Sequence, residues 1–363
     1  MQCSIFEKIG IGFVGVWTLV TVCQAQNRYF VTDLGSLNGA STVVHKINAL
    51  GHAAGTSGKR DGGGAHAVAW RDAQKSLSSL SSLEDSDYSE ATAINNRDEI
   101  TGLSNTKDNM RAVVWGDTGT IKELGALPGD TSSRAFGIND RGKVVGLSSG
   151  PRGERAFVWT REDGMAAVMV PPGAKSSEAH GINNRDQIVG DFRGSAGTHA
   201  FLWTPRSGVQ DLGVIPGYET SKATGINDSG EVVGSSSGSS GTRSFIWTPT
   251  EGIQPINDIP AADFSEALDI NSRAEVVGTY EGSLGNRAYL WTRKNGFVDL
   301  NNMLPPGSGL VLTMAVSIND RGQILAIGMA HPDISPDRRM DQDEEDDLHS
   351  VDVHSFLLTP IEH

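Results

Sequence analysis

Ala135-Phe136-Gly137-Ile138-Asn139-Asp140-Arg141-Gly142-Lys143-Val144-Val145-Gly146, followed by Ala156-Phe157-Val158-Trp159-Thr160, is the stretch that decides the fold. One apolar run enters a turn at Asn139 and a second leaves it after Gly142. Asn side chains bond backbone groups two residues on, and Gly takes positive φ without steric cost, so these four residues read as a hairpin turn. Phe157 and Trp159 stand two apart and share one strand face, which reads as core between stacked sheets. A second turn, Arg161-Glu162-Asp163-Gly164, leads to a fourth short strand. The stretch is therefore a unit of four strands, a to d.

The unit recurs. The Asn of the Ile-Asn pair stands at Asn48, Asn95, Asn139, Asn183, Asn227, Asn271 and Asn319, at intervals of 47, 44, 44, 44, 44 and 48 residues. Tryptophan follows at Trp70, Trp115, Trp159, Trp203, Trp247 and Trp291, with Leu358 in the seventh place. Turn residues bounding β-branched and aromatic runs at this density mark an all-β chain, and no sustained helical period is present. The fourth turn position reads Gly51, Asp98, Gly142, Asp186, Gly230, Ala274 and Gly322. Asp tolerates a left-handed backbone and Ala does so poorly, so the sixth turn is expected to be slightly strained or differently shaped.

Unit seven has strands a, b and c but stops before a strand d. Tyr29-Phe30-Val31-Thr32-Asp33-Leu34-Gly35 precedes the first unit and matches strand d elsewhere, such as Gln210-Asp211-Leu212-Gly213. The missing strand thus lies at the other end of the chain. This predicts a seven-bladed β-propeller closed by its N-terminal strand, which leaves no unfinished sheet edge. The alternative is an open β-solenoid, which would want polar caps instead. Small residues recur in strand a, as Ser133/Ala135 and Ser177/Ala179, and suit an innermost strand crowded at the axis.

With these motifs in hand, the chain resembles the bacterial extracellular repeat family named for its His-Ala-Phe tripeptide. That tripeptide stands at His199-Ala200-Phe201, the partner motif at Gly181-Ile182-Asn183-Asn184, and a similar opening at Val31-Thr32-Asp33-Leu34-Gly35. The resemblance covers roughly residues 29 to 360. It implies a secreted or surface-attached bacterial protein, and it hands over no catalytic residue.

Lys8, the uncharged run Ile9 to Val22 and the small residues before position 26 have the layout of a secretory signal. Residues 1–25 are accordingly expected to be a cleaved signal peptide, with lipidation at Cys23 the rival reading, and residues 26–363 a single repeat-built domain. The expected location is extracellular or at the cell surface, with the periplasm open. Acids outnumber bases 44 to 30, a net charge of −14, which argues against nucleic acid as the partner.

Candidate sites are few. The residue before the Ala-Phe pair, or before its counterpart in each unit, is basic in all seven: His66, Arg111, Arg155, His199, Arg243, Arg287 and His354. Two readings apply, pairing with nearby acids or an anion-accepting collar that exploits bidentate Arg contacts. Unit one departs from the repeat at Lys59, Arg60 and Asp61, and unit seven carries an acidic insertion at about 330–353. Ring closure would place these two b–c loops side by side. Asp343, Glu344, Asp346 and Asp347 are the insertion's candidate cation ligands, against a plain reading as a solvated loop. No nucleophile elbow, phosphate loop or zinc spacing is present, and no cofactor is expected. The reading that follows is a monomeric, non-catalytic binding module for an extracellular glycan or surface protein. The alternative is a glycan-active hydrolase or lyase whose carboxylates come from different blades.

Overall fold

The computed structural model describes residues 28–37, 41–58, 64–71, 76–117, 119–260, 263–330 and 353–361. Each repeat folds into one antiparallel four-stranded sheet, and seven such sheets stand around a common axis as a β-propeller. In blade three the strands are Ser132–Ile138, Val144–Gly150, Gly153–Thr160 and Gly164–Ala167, hydrogen-bonded in that order. The only helix among the described residues is a single 3-10 turn, Leu300–Met303.

Closure follows the sequence expectation. Blade seven contains Leu310–Ile318, Ile324–Ala330 and Val353–Pro360, and its outer strand is Tyr29–Asp33. Tyr29 pairs with Pro360 and Asp33 with Phe356, so the first strand runs antiparallel to the last. Tyr29 is buried in a cluster with Leu300, Leu312 and Phe356, and Leu34 joins a second cluster with Trp70 and Leu357.

The core lies between blades. Leu124 and Leu127 of blade two pack with Val144, Phe157 and Trp159 of blade three. Phe157 is wholly buried and Trp159 is 4% exposed, as the core reading requires. The recurrent Ser and Ala of strand a have a second reason besides size. Ser177 Oγ accepts from Ala156 N of the preceding blade at 3.0 Å, and Ser221 accepts from Ala200 N at 2.8 Å. The Ala of each Ala-Phe pair and the Ser of the next unit are thus partners across a blade interface. A bulge in strand a brings the strands close, and a Cβ on Gly146 would stand 2.0 Å from Arg134 O.

All seven fourth turn positions have positive φ, including Asp98 (59°), Asp186 (61°) and Ala274 (56°). Ala274→Gly should therefore stabilise the protein by about 0.5–1 kcal/mol, since strain at a left-handed alanine outweighs the added freedom of the unfolded chain. Urea unfolding measures this. A destabilised variant would show that the Ala274 methyl contributes more by packing than it costs in strain.

Candidate functional site

The side chains nearest the axis come from strand a and its turn, and they form layers. The first is built by the repeated Asn. In each unit its Oδ1 accepts two backbone N–H groups of its own turn, as Asn139 does from Arg141 N (3.0 Å) and Lys143 N (3.1 Å). Its Nδ2 then donates to the backbone carbonyl of the corresponding Asn in the next blade. The chain of bonds runs Asn48 to Asn95, Asn139, Asn183, Asn227, Asn271 and Asn319, and Asn319 Nδ2 returns to Asn48 O at 2.9 Å. The relay is closed. The turn reading from sequence captured the bond two residues on but missed the link between blades.

Outside the relay, a shallow mouth of about 180 Å³ is rimmed by the residues after each Asn, including Asp140, Asp228 and Asp320. Asn184 bridges two of these carboxylates, at 2.9 Å to Asp140 and 3.1 Å to Asp228. Inside the relay stand the seven isoleucines of the Ile-Asn pairs, where the mouth meets a second cavity.

That second cavity, about 190 Å³, is lined by the bulged residues of the inner strands: His45, Thr92, Phe136, His180, Thr224, Leu268 and Val316. His45 and His180 come from distant blades, yet the ring brings them into one chamber. His180 Nε2 lies 2.8 Å from Asp191 Oδ1, and its ring packs 5.7 Å from that of Phe136. His45 Nε2 lies 3.4 Å from Glu90 Oε1 of the next blade. Lys46 Nζ reaches past blade seven to Asp269 Oδ1 at 2.6 Å, while Asp269 Oδ2 accepts from Ser317 Oγ and Ile318 N. This ion pair replaces the small residues, such as Gly137 and Gly181, that the other units place there.

Two residues further along strand a, on the same side, the units carry Val43, Glu90, Arg134, Glu178, Lys222, Glu266 and Met314. Across blades two to six the charges alternate in sign. Arg134 and Lys222 are exposed, and neither makes an ion pair among the described residues. The acids are better held: Glu90 accepts from Tyr88 Oη at 3.0 Å, and burial pushes the Glu266 carboxyl above the usual range against the opposing pull of Lys222 and Ser235. The signal for this layer was in the sequence, as a charged column at a spacing of 44 between residues 90 and 266.

Burial holds the His45 imidazole below its ordinary value of 6.5, against the raising influence of Glu90. The unfolded chain therefore takes up this proton more readily than the folded one. Stability should fall as pH drops below about 6.5 toward the folded value. His45→Gln should flatten that part of the profile, as read from thermal midpoints between neutral and mildly acidic pH. An unchanged slope would assign it to other groups.

The basic positions before each Ala-Phe pair lie on strand c, the third strand of each blade, away from the axis. Four of them face an acid on strand d. Arg111 meets Glu123 at 2.8 Å, His199 meets Asp211 at 3.0 Å, Arg287 lies 3.8 Å from Asp299, and His354 meets Asp33 of the closing strand at 2.8 Å. Arg155 instead pairs with the buried Asp130 at 2.7 Å. His66 is half-buried on Ala65–Arg71, and Arg243 is half-buried on Gly241–Thr248. Lys59, Arg60 and Asp61, and the insertion with Asp343, Glu344, Asp346 and Asp347, lie outside the described residues. Among the described residues, no helix is long and apolar enough to cross a membrane.

No family model matches the chain, and no curated protein does. Solved structures do. A streptogramin B lyase aligns over 93% of this chain and 99% of its own, with a TM-score of 0.55 and 11% identity. Virginiamycin B lyase from Staphylococcus aureus aligns over 92% and 100%, with a TM-score of 0.53 and 13% identity. The propeller domain of the trilobed protease from Pyrococcus furiosus, described as having an open velcro topology, aligns over 80% and 89%, with a TM-score of 0.52 and 11% identity. At such identities the likeness is one of fold. The present ring differs from an open one in having its last blade completed by the first strand.

Proposed function

We propose that this chain is an exported β-propeller that binds a ligand outside the cell in its axial channel and leaves it chemically unchanged. One observation carries the reading. Arg134 and Lys222 are exposed on innermost strands without an ion-pair partner among the described residues, whereas four of the strand-c basic positions face acids on strand d. Exposed cations held on a rigid frame without a close ion pair are more available to a ligand than paired ones. Export rests on the signal-like N-terminus and on the resemblance to the His-Ala-Phe repeat family. The partner is an extracellular glycan or a surface protein.

A second reading has its own support. His180 borders the chamber and faces Asp191 of the adjacent strand at 2.8 Å, an arrangement able to orient an imidazole for proton transfer. The two readings part on a glycan array with a product readout. Binding that leaves every glycan intact supports the module. Release of new chain ends, abolished by His180→Gln, replaces it with a hydrolase or lyase.

A further inference from the structure

The chamber of about 190 Å³ is closed at one end. The isoleucines of the Ile-Asn pairs converge between it and the mouth, and Ile47, Ile94, Ile138, Ile270 and Ile318 are each 8% exposed or less. Its other end lies under the layer of Glu90, Arg134, Glu178, Lys222 and Glu266. The polar part of its wall consists mostly of acceptors. His180 Nε2 faces Asp191 Oδ1 at 2.8 Å. A carboxylate only accepts, so Nε2 carries the proton, and Nδ1 of the neutral ring is left as an acceptor that makes no hydrogen bond among the described residues. Thr92 Oγ1 lies 2.9 Å from Ala135 O and 3.1 Å from Thr101 O, and Thr224 Oγ1 lies 2.6 Å from Ala267 O and 3.2 Å from Val233 O. Each hydroxyl proton therefore goes to a backbone carbonyl, and the oxygen keeps its capacity to accept. Lys46 also lines the chamber, with its ammonium held by Asp269 at 2.6 Å. The rest of the wall includes Leu268, Val316 and Phe136.

We propose that the chamber takes the terminal sugar ring of an uncharged glycan, so that the protein reads chain ends and not chain interiors. This rests on the channel-binding reading and names its ligand. A pyranose has both surfaces that the wall requires. Its hydroxyls donate to His180 Nδ1 and the threonine oxygens, and its C–H groups lie against Leu268, Val316 and Phe136. The size fits one ring: a cavity of about 150 Å³ holds benzene, so about 190 Å³ leaves room for hydroxyls and none for a second ring. An interior ring would need the chain to leave on both sides, and the isoleucines close one of them. The charged layer selects against net charge of either sign. An acidic sugar would meet three glutamates there and an amino sugar would meet Arg134 and Lys222, and like charges brought together are costly. A hydroxyl both donates and accepts, so it suits either neighbour. Two residues along a strand span about 7 Å, which sets the second ring of the glycan at that layer.

Calorimetry on the mature chain tests this with linear hexasaccharides of glucose, mannose, galactose and N-acetylglucosamine, the matching polymers of about a hundred units, and the matching oligouronates. The expected result is that at least one neutral hexasaccharide binds. At equal sugar concentration its polymer should bind at least about tenfold more weakly, because ends are diluted, whereas interior binding gains from length. The oligouronate should also be weaker by about tenfold or more. Leu268→Trp fills the chamber and should abolish binding, and Thr224→Val removes one acceptor and should weaken it several-fold, with thermal midpoints confirming the fold of each. Polymer binding as well as hexasaccharide per sugar, and still dependent on Arg134 and Lys222, would overturn the end reading and leave the channel reading standing. Failure of every neutral hexasaccharide to bind, or native binding by a folded Thr224→Val variant, would likewise overturn the proposal. Binding retained both by Leu268→Trp and by Arg134→Gln with Lys222→Gln would overturn the channel reading itself.

Discussion

A protein lacking residues 29–35 is expected to lose about 4–10 kcal/mol, since two well-buried large side chains are removed at roughly 2–5 kcal/mol each. Those side chains are Tyr29, 8% exposed, and Leu34, 3% exposed. The deletion also strips five paired residues from Val353–Pro360 and leaves that strand as an open edge. An exposed edge invites pairing with another copy, so the truncated protein should aggregate as well as melt earlier. Differential scanning calorimetry with light scattering reads both effects. An unchanged midpoint would mean that the ring does not depend on its closing strand.

The second large effect is expected at the relay. Asn139 is 3% exposed and makes four bonds: two from its own turn to Oδ1, one to Asn183 O at 3.1 Å, and one to Asp186 Oδ1 at 3.0 Å. Asn139→Ala leaves the part-buried Arg141 and Lys143 N–H groups without their acceptor and strips from the Asn183 carbonyl one of its two donors, the other being Asp186 N, so at about 1–3 kcal/mol for each lost donor site a total near 2–4 kcal/mol is expected. Asn139→Asp separates the two roles. It keeps the oxygen that closes the turn, removes the donor to blade four, and sets a carboxylate against Asp186. If the relay holds blades together, the Asp variant should be at least as unstable as the Ala variant above pH 5, as read by urea unfolding. A nearly native Asp variant would reduce the Asn to a turn residue.

The ring was legible in the sequence because its signals are local and repeated. Asn139 to Gly142 specifies a hairpin on its own, and Tyr29 to Gly35 announces its partner by matching strand d elsewhere. The link from Asn139 Nδ2 to Asn183 was not legible, because nothing within one unit says how far the next blade stands. The same limit hid the chamber. His45 and His180 lie 135 residues apart in the chain and meet one cavity only once the sheets close. The strand-c basic positions illustrate the converse. Their recurrence drew attention, yet recurrence within a packed repeat also marks structure, and Arg111, His199 and His354 each face an acid on the neighbouring strand. Arg134 and Lys222 were obscured because their column alternates in sign, so no single residue type runs through it.

The central claim is that ligand is held at the axis and not on the outer strands. It is tested most directly by comparing two variants for binding to whatever glycan or surface protein the native chain captures. Arg134→Gln with Lys222→Gln alters the channel, and Arg243→Gln with His199→Gln alters strand c. The account expects the channel variant to lose binding by about tenfold or more, with the strand-c variant close to native. Loss in the strand-c variant with full binding by the channel variant would contradict it.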